Sequence, residues 1–187
     1  MAVQFAEHYR FTADEYTRMA AEGIIPPGAR VELIEGEIIE MSPIGSRHNA
    51  FVDRVTRVLV GKLGDEAIVR VQGSIQLGDR VVPQPDFAVL RPRDDFYVDA
   101  LPGPADVLLL VEVADSSLAY DRSEKSRLYA RYGIPEYWLL DLVQNTVLVH
   151  TDPGPSTYQH VEIRNRGETW NSRSLPGLRV TGEEILG

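Results

Sequence analysis

Cysteine is missing from the chain: none occurs among its 187 residues. This absence excludes disulfide bonds, thiolate zinc sites and cysteine nucleophiles. Long hydrophobic runs are missing as well, because the longest, Val107–Val111, has five residues, whereas a membrane span needs about 20. The N-terminal segment also lacks the apolar centre of a signal peptide. We therefore expect a cytoplasmic protein with no membrane partner.

Several enzyme classes are disfavoured by absences of the same kind. The sequence contains no glycine-rich phosphate loop, no zinc-ligand spacing and no G-x-S-x-G elbow. Basic residues are few, with 19 Lys and Arg against 28 Asp and Glu and a net charge of −9. Nonspecific coating of nucleic acid needs clustered cations and is therefore disfavoured. Residues 122–132 are a local exception, with four basic residues against Glu124, and are a candidate for phosphate contact.

The length and composition indicate one domain. A hydrophobic fraction of 43% supports a full core, and we predict a single domain over residues 1–187. Hydrophobic periodicity predicts helices over residues 11–23, 46–64 and 121–133, and strands over 30–34, 37–41, 67–77, 85–90, 105–114, 136–142, 146–151 and 157–163. The strands come in runs and do not alternate strictly with helices. This order indicates a mixed α/β or α+β fold.

Local signals mark the ends of several elements. Thr12 and Glu15 predict a capping box before the first helix. Asp121 is predicted to be the N-cap of the third helix, with Glu124 completing a second capping box. A Glu35–Gly36 turn predicts that the two strands after the first helix form a hairpin.

A carboxylate stands inside the most hydrophobic segment, "VLLLVEVA". In a strand, Val107, Leu109, Val111 and Val113 line one face, and Leu108, Leu110, Glu112 and Ala114 line the other. Both faces are apolar, which predicts a strand buried inside a sheet that is covered on each side. A glutamate in that place is rarely found unless it is paired or holds a cation.

Asp86 and Lys125 are the candidate companions of Glu112. Asp86 stands at the start of another apolar strand, and two carboxylates from neighbouring strands can bind Mg²⁺, which accepts a few carboxylate oxygens and keeps several waters. Lys125 lies in the helix after the Glu112 strand, four residues from both Asp121 and Tyr129, so these three share a face. An ammonium at such a site could orient a water or offset charge on a phosphate.

Four segments carry a resemblance to a known family. They are "PQPDFAVL", "LLLVEVADSS", "DRSEKSRLYARYGIPEYWLLD" and "SLPGLRV". Together with "ELIEGEI" and the "SRHNAF" that contains His48, they resemble the Uma family of restriction endonucleases within the PD-(D/E)xK nuclease superfamily. The similarity runs over almost the whole chain, and the tract from Asp121 to Asp141 is its most specific part. The superfamily usually places a lysine two residues after the glutamate, where this chain has Ala114.

The resemblance implies a function and a set of site residues. Asp86 and Glu112 would bind Mg²⁺ or Mn²⁺, and Lys125 would replace the usual lysine and serve the attacking water. His48, which could instead cap its helix or contact a nearby loop, and Asp121 are candidate accessory residues beside this set. The implied fold is a restriction-endonuclease-like mixed β-sheet flanked by helices, with an N-terminal helix and a β-hairpin. The implied activity is phosphodiester hydrolysis in DNA, and a homodimer would match the two-fold symmetry of duplex DNA.

Other interpretations stay open at this point. Ala114 and the net charge of −9 favour a nuclease-fold scaffold or binding protein without turnover, and the acidic balance leaves room for a metal-dependent hydrolase of smaller substrates. Glu112 could instead pair with an arginine. Lys125 could be an ordinary solvated helix residue, and Asp86 could simply close a turn at the start of its strand. Glu32 is a further candidate acid, but on a hairpin strand it could simply face water.

Overall fold

A six-stranded mixed sheet forms the centre of the molecule. In this computed structural model, residues 8–115 and 117–187 are described. The first seven residues, which are part of the N-terminal segment predicted to lack a signal peptide, lie outside the described residues, as does Ser116. None of the helices in the described ranges combines the length and apolar character needed to cross a bilayer.

Helices and strands follow the predicted order closely. In chain order they are α1 (Ala13–Ala21), β1 (Val31–Ile34), β2 (Glu37–Glu40), α2 (Ser46–Leu63), β3 (Ile68–Val71), β4 (Phe87–Leu90), β5 (Val107–Ala114), α3 (Leu118–Tyr120), α4 (Ser126–Arg131), β6 (Glu136–Asp141), β7 (Thr146–Pro153), β8 (Tyr158–Arg164), β9 (Thr169–Asn171), β10 (Arg179–Thr181) and α5 (Gly182–Leu186). A π-helical turn, Asp121–Lys125, joins α3 to α4 without a break. We call the continuous helical segment 118–131 the crossover helix.

The sheet has the strand order β3-β4-β5-β6-β7-β8. All neighbouring pairs are antiparallel except β5 and β6, which run parallel. Parallel neighbours need a crossover connection, and the crossover helix supplies it. In this strand order β5 and β6 are the two central strands. Both faces of the sheet are covered there, and every residue of β6 is buried.

Helices cover both faces of this sheet, as predicted. On one face α2 packs through Val55 and Leu59, both fully buried, together with α5. On the other face α4 packs through Leu128 and Tyr129. The first helix has the expected capping box at Thr12, and the hairpin β1–β2 turns at Glu35 and Gly36, whose φ angles are 54° and 80°. The architecture is thus the predicted mixed α+β fold.

The structure corrects three sequence predictions. The strand predicted over 67–77 ends at Val71, since the following Gln72 takes a left-handed conformation with φ of 49°. Val107 packs with the core cluster on the α4 side and Leu108 against the cluster on the α2 side, the reverse of simple alternation, because the register with β4 shifts between Val89 and Leu90. The strands β9 and β10 and the helix α5 were not predicted at these positions.

The third correction concerns Asp121. It is not an N-cap, because the crossover helix begins three residues earlier at Leu118, and the backbone of Asp121 is already helical, with φ −64° and ψ −36°. Glu124 is exposed, and its carboxylate lies 3.8 Å from Arg127 Nη1. The extra turn at the helix start buries Asp121 to 4% exposure and turns it toward the strand ends.

Candidate active site

A cavity of about 380 Å³ opens where the ends of β4 and β5 meet the hairpin and the crossover helix. One wall is the end of the hairpin and the segment that follows it, residues 39–45. The lining also includes Asp115, Ser117, Ala119, Tyr120 and Asp121. Asp86, Glu112 and Lys125 line this cavity and are themselves buried. Sequence positions far apart in the chain therefore meet in one polar cleft.

Asp86 is held by hydrogen bonds from three directions. Its Oδ2 accepts from the backbone N–H of Val113 at 2.9 Å and from Nε2 of His48 at 3.0 Å, and its Oδ1 accepts from Nε2 of Gln72 at 3.2 Å. Burial raises the pKa of Asp86, but the bonds and charge from His48, with those from Val113 and Gln72, outweigh it and hold that pKa below its ordinary value. The carboxylate is therefore an ionised group of fixed orientation.

Glu112 lies next to Asp86, on the face of β5 that the crossover helix covers. Its Oε2 accepts from the backbone N–H of Asp86 at 3.2 Å, and its Oε1 accepts from Lys125 Nζ at 2.9 Å and from the Tyr129 hydroxyl at 2.7 Å. Burial raises the pKa of Glu112 to about 8, although the nearby ammonium pulls the other way. The buried carboxylate of Glu112 is thus hydrogen-bonded to Asp86, Lys125 and Tyr129, as its position in an apolar strand requires.

Lys125 is buried to 4% exposure, which contradicts its interpretation as a solvated helix residue. Its Nζ lies between Glu112 Oε1 at 2.9 Å and Glu32 Oε2 at 3.3 Å. Burial lowers the pKa of Lys125, but the carboxylates of Glu112, Glu32 and Asp121 outweigh it and raise that pKa above its ordinary value. The side chain is therefore a fixed positive charge inside the cavity.

The two accessory residues also line the cavity. His48, in the first turn of α2, reaches Asp86 with Nε2, while its buried Nδ1 has no hydrogen-bond partner among the described residues. Asp121 accepts a short hydrogen bond from the hydroxyl of Ser117, and burial raises its pKa. All five residues singled out in the sequence are thus brought together by the fold.

Three further residues of the site were missed or misjudged. Glu32 does not face water but is buried to 2% exposure, with Oε2 accepting from the N–H of Gln84. Its position between apolar residues in the strand "VELI" was the one sequence feature that could have indicated its burial. Tyr129, which was predicted only to share a helix face with Lys125, donates a hydrogen bond to Glu112; that shared face could have indicated this contact. Gln72 depends on a left-handed backbone turn, for which the sequence has no clear signal.

The charge and donor set fit a hard divalent cation. Four carboxylates, those of Glu32, Asp86, Glu112 and Asp121, are buried around the single ammonium of Lys125. No cluster of three or more acidic or histidine side chains with metal-holding geometry occurs in residues 8–115 and 117–187. A two-carboxylate site suits Mg²⁺, which keeps several waters, better than a metal that is enclosed by protein ligands.

Comparisons with known proteins agree with this architecture. The model of the Uma2 family, described as "Putative restriction endonuclease", matches residues 13–183. The chain belongs to the Uma2 family. The crystal structure of a "putative nuclease" from Anabaena variabilis superposes on this Uma2 protein with a TM-score of 0.74, at 20% identity, over 94% of this chain and 97% of that chain. At this identity the likeness shows the fold alone, a mixed sheet flanked by helices. No curated protein matches the Uma2 chain.

Proposed function

We propose that this Uma2 protein is a Mg²⁺- or Mn²⁺-dependent endonuclease that hydrolyses phosphodiester bonds in DNA. The observation that carries the proposal is the chain of contacts from Asp86 through Glu112 to Lys125 on the wall of one cavity. Membership in a family described as restriction endonucleases supports the nuclease class. The excess of buried carboxylates supports the need for a cation.

Asp86 and Glu112 are the residues that would hold the cation. When bound, the cation would neutralise charge on the phosphate and favour ionisation of an attacking water. The N–H of Val113 and the imidazole of His48 fix the carboxylate of Asp86, and the hydroxyl of Tyr129 fixes that of Glu112. A carboxylate held in this way loses little freedom when it takes up its ligand.

Lys125 supplies a positive charge beside these carboxylates. Its ammonium has three N–H donors, and the carboxylates of Glu112 and Glu32 occupy two directions around it. The third can donate to the attacking water or to a phosphate oxygen, which stabilises the charge that develops during in-line attack. The helix thereby provides what Ala114, at the usual lysine position on the strand, does not.

The rest of the proposal concerns assembly and place. We take residues 1–187 as one nuclease domain, since the strands of the central sheet contribute to core clusters on both faces. A homodimer would let two copies cut the two strands of a duplex, and its symmetry would match that of the substrate. A cytoplasmic location would give access to DNA.

The test combines cation binding with DNA cleavage. Purified protein is titrated with Mg²⁺ and Mn²⁺ by calorimetry, and nicking of supercoiled plasmid is measured with each cation and with EDTA. Asp86→Asn should abolish both binding and cleavage. Lys125→Ala should keep cation binding and lose cleavage by about 100-fold or more, in line with the loss of a charged donor at a transition state. Asp53→Asn, on an exposed position of α2, and Lys62→Ala, which removes the chain's other lysine, are the matched controls.

Three outcomes would redirect the proposal. Cation binding without cleavage of any nucleic acid would favour the scaffold interpretation, for which the engagement of Lys125 by two carboxylates is the structural support. Cleavage of bis(p-nitrophenyl) phosphate but not of DNA or RNA would indicate a smaller substrate. Unchanged cleavage by Asp86→Asn and by Glu112→Gln would show that the site lies elsewhere.

A further inference from the structure

The cavity is too acidic to receive a phosphate strand through Lys125 alone. Its walls carry six carboxylates against two side chains with a permanent positive charge, Arg30 and Lys125. The carboxylates belong to Glu32, Glu40, Asp86, Glu112, Asp115 and Asp121. A polyanionic substrate needs cationic contacts in addition to a metal, so the disposition of the remaining cations decides where it binds.

The basic segment that the sequence marked for phosphate contact is largely engaged within the protein. Lys125 is buried between two carboxylates. Arg131 pairs with Glu35 through both of its terminal nitrogens, and Arg127 lies 3.8 Å from the carboxylate of Glu124. Three of the four cations in residues 122–132 therefore already face acids, and the fourth, Arg122, is exposed and does not line the cavity.

Arg47, close to the cavity through its neighbour His48, is engaged as well. Its Nη2 donates to the carbonyl of Leu142 at 2.6 Å, and its Nη1 lies 3.3 Å from Asp115. These two contacts tie α2 to the strand ends. Its side chain is 54% exposed, but Arg47 is not among the residues that line the cavity.

Arg30 differs from these residues. It precedes β1, is only partly buried and lines the cavity. Within residues 8–115 and 117–187, its guanidinium forms no ion pair, and its recorded side-chain hydrogen bond runs from Nη1 to the carbonyl of Ser42 at 2.5 Å. That bond orients the group on the wall made by residues 39–45 while most of its five N–H donors stay available.

We propose that Arg30 binds a phosphate of the nucleic-acid strand that enters the cavity, and is a substrate-binding residue distinct from the cation-holding pair. The proposal rests on the proposed nuclease function. A planar guanidinium anchored at one nitrogen presents a two-pronged donor edge that matches a phosphate. The strand would therefore lie along the hairpin wall of the cavity.

The test measures binding and turnover separately. Binding of a fluorescent DNA oligonucleotide is followed by anisotropy in Ca²⁺ over a series of salt concentrations, with wild type, Arg30→Gln, Arg30→Lys and Arg18→Gln. Arg18 is exposed on α1, near Glu22, and serves as the control. Arg30→Gln should weaken binding about tenfold or more and lower the slope of log K against log salt by about one. Arg30→Lys should restore the slope but not the full affinity.

Cleavage kinetics give the second readout. Arg30→Gln should raise KM and leave kcat near the wild-type value, because the phosphate contact is made in ground state and transition state alike. Urea midpoints check that the hairpin has kept its stability without the bond to Ser42. An unchanged affinity and salt slope for Arg30→Gln, in a wild type that binds and cuts DNA, would overturn the role of Arg30 and leave the nuclease proposal standing. A wild type that binds no nucleic acid would overturn both.

Discussion

Replacing Glu112 by glutamine should change the way in which stability depends on pH. Glu112 is buried beside Lys125 and Tyr129, and burial raises its pKa from the ordinary 4.5 to about 8. Between these two values the folded protein binds the proton more tightly than the unfolded chain does. The wild-type free energy of unfolding contributed by this group is therefore fully present below pH 4.5 and is lost as pH rises toward 8.

The expected magnitude follows from the shift. Each pH unit inside the window changes the free energy of unfolding by about 1.4 kcal/mol. From pH 5.5 to 7.5 the wild type should lose about 2–3 kcal/mol that Glu112→Gln retains, since the amide has no proton to exchange. In Glu112→Gln the side-chain NH₂ takes the place of Oε2 and cannot accept the hydrogen bond from the backbone N–H of Asp86. This loss costs about 1–3 kcal/mol at every pH. The test is therefore how the difference in free energy of unfolding between the two proteins changes with pH, and not the size of that difference at one pH.

The assay is urea unfolding in EDTA at several pH values, followed by tryptophan fluorescence because Trp138 is fully buried. Glu183→Gln, an exposed carboxylate on α5, is the control for the loss of one negative charge. A repeat in Mg²⁺ should flatten the wild-type curve above pH 7 if the cation binds the ionised carboxylate. A constant difference between wild type and Glu112→Gln over the whole range would refute the reasoning.

Three other predictions concern stability. Lys125→Met should lower the free energy of unfolding by about 3–5 kcal/mol at pH 7, because it leaves the buried carboxylates of Glu32 and Asp121 without their counter-ion, and adding Glu32→Gln should recover part of the loss. His150, buried with Nδ1 against the carbonyls of Tyr137 and Leu148, has a pKa lowered mainly by burial. Its contribution is full above pH 6.5 and is lost as pH falls, so His150→Gln should be less sensitive to acid than wild type. Leu59→Ala should cost about 2–5 kcal/mol by opening a cavity under α2. Urea midpoints measure all three effects.

Specific results would contradict these three predictions. A Lys125→Met protein as stable as wild type would mean that Glu32 and Asp121 do not need the ammonium as a counter-ion. Equal acid sensitivity of wild type and His150→Gln would show that the imidazole is solvated; His160→Gln, at an exposed position of β8, is its control. A cost below about 1 kcal/mol for Leu59→Ala would mean that the α2 side of the core closes around the deletion.

The sequence by itself determined most of the architecture. Alternation, helical spacing and the Thr12 capping box located α1, the hairpin, α2 and the central strands, because these signals depend on neighbours a few residues away. The same local reasoning required a partner for Glu112, since a carboxylate in a doubly apolar strand cannot be left bare. The quoted segments also placed the chain in its family, which the family comparison confirms.

The tertiary structure decided which groups meet. The burial of Glu32 depends on the hairpin, whose Leu33 bonds to Val82 in both directions at 2.7 and 3.1 Å and so carries Glu32 over the strand ends. The burial of Asp121 depends on a helix that starts three residues early and passes through a π-helical turn. Both outcomes arise from packing between elements distant in the chain. Local patterns do not encode such distances, so the sequence could name Asp86, Glu112 and Lys125, but only the fold joined them to Glu32, Tyr129 and Arg30 around one cavity.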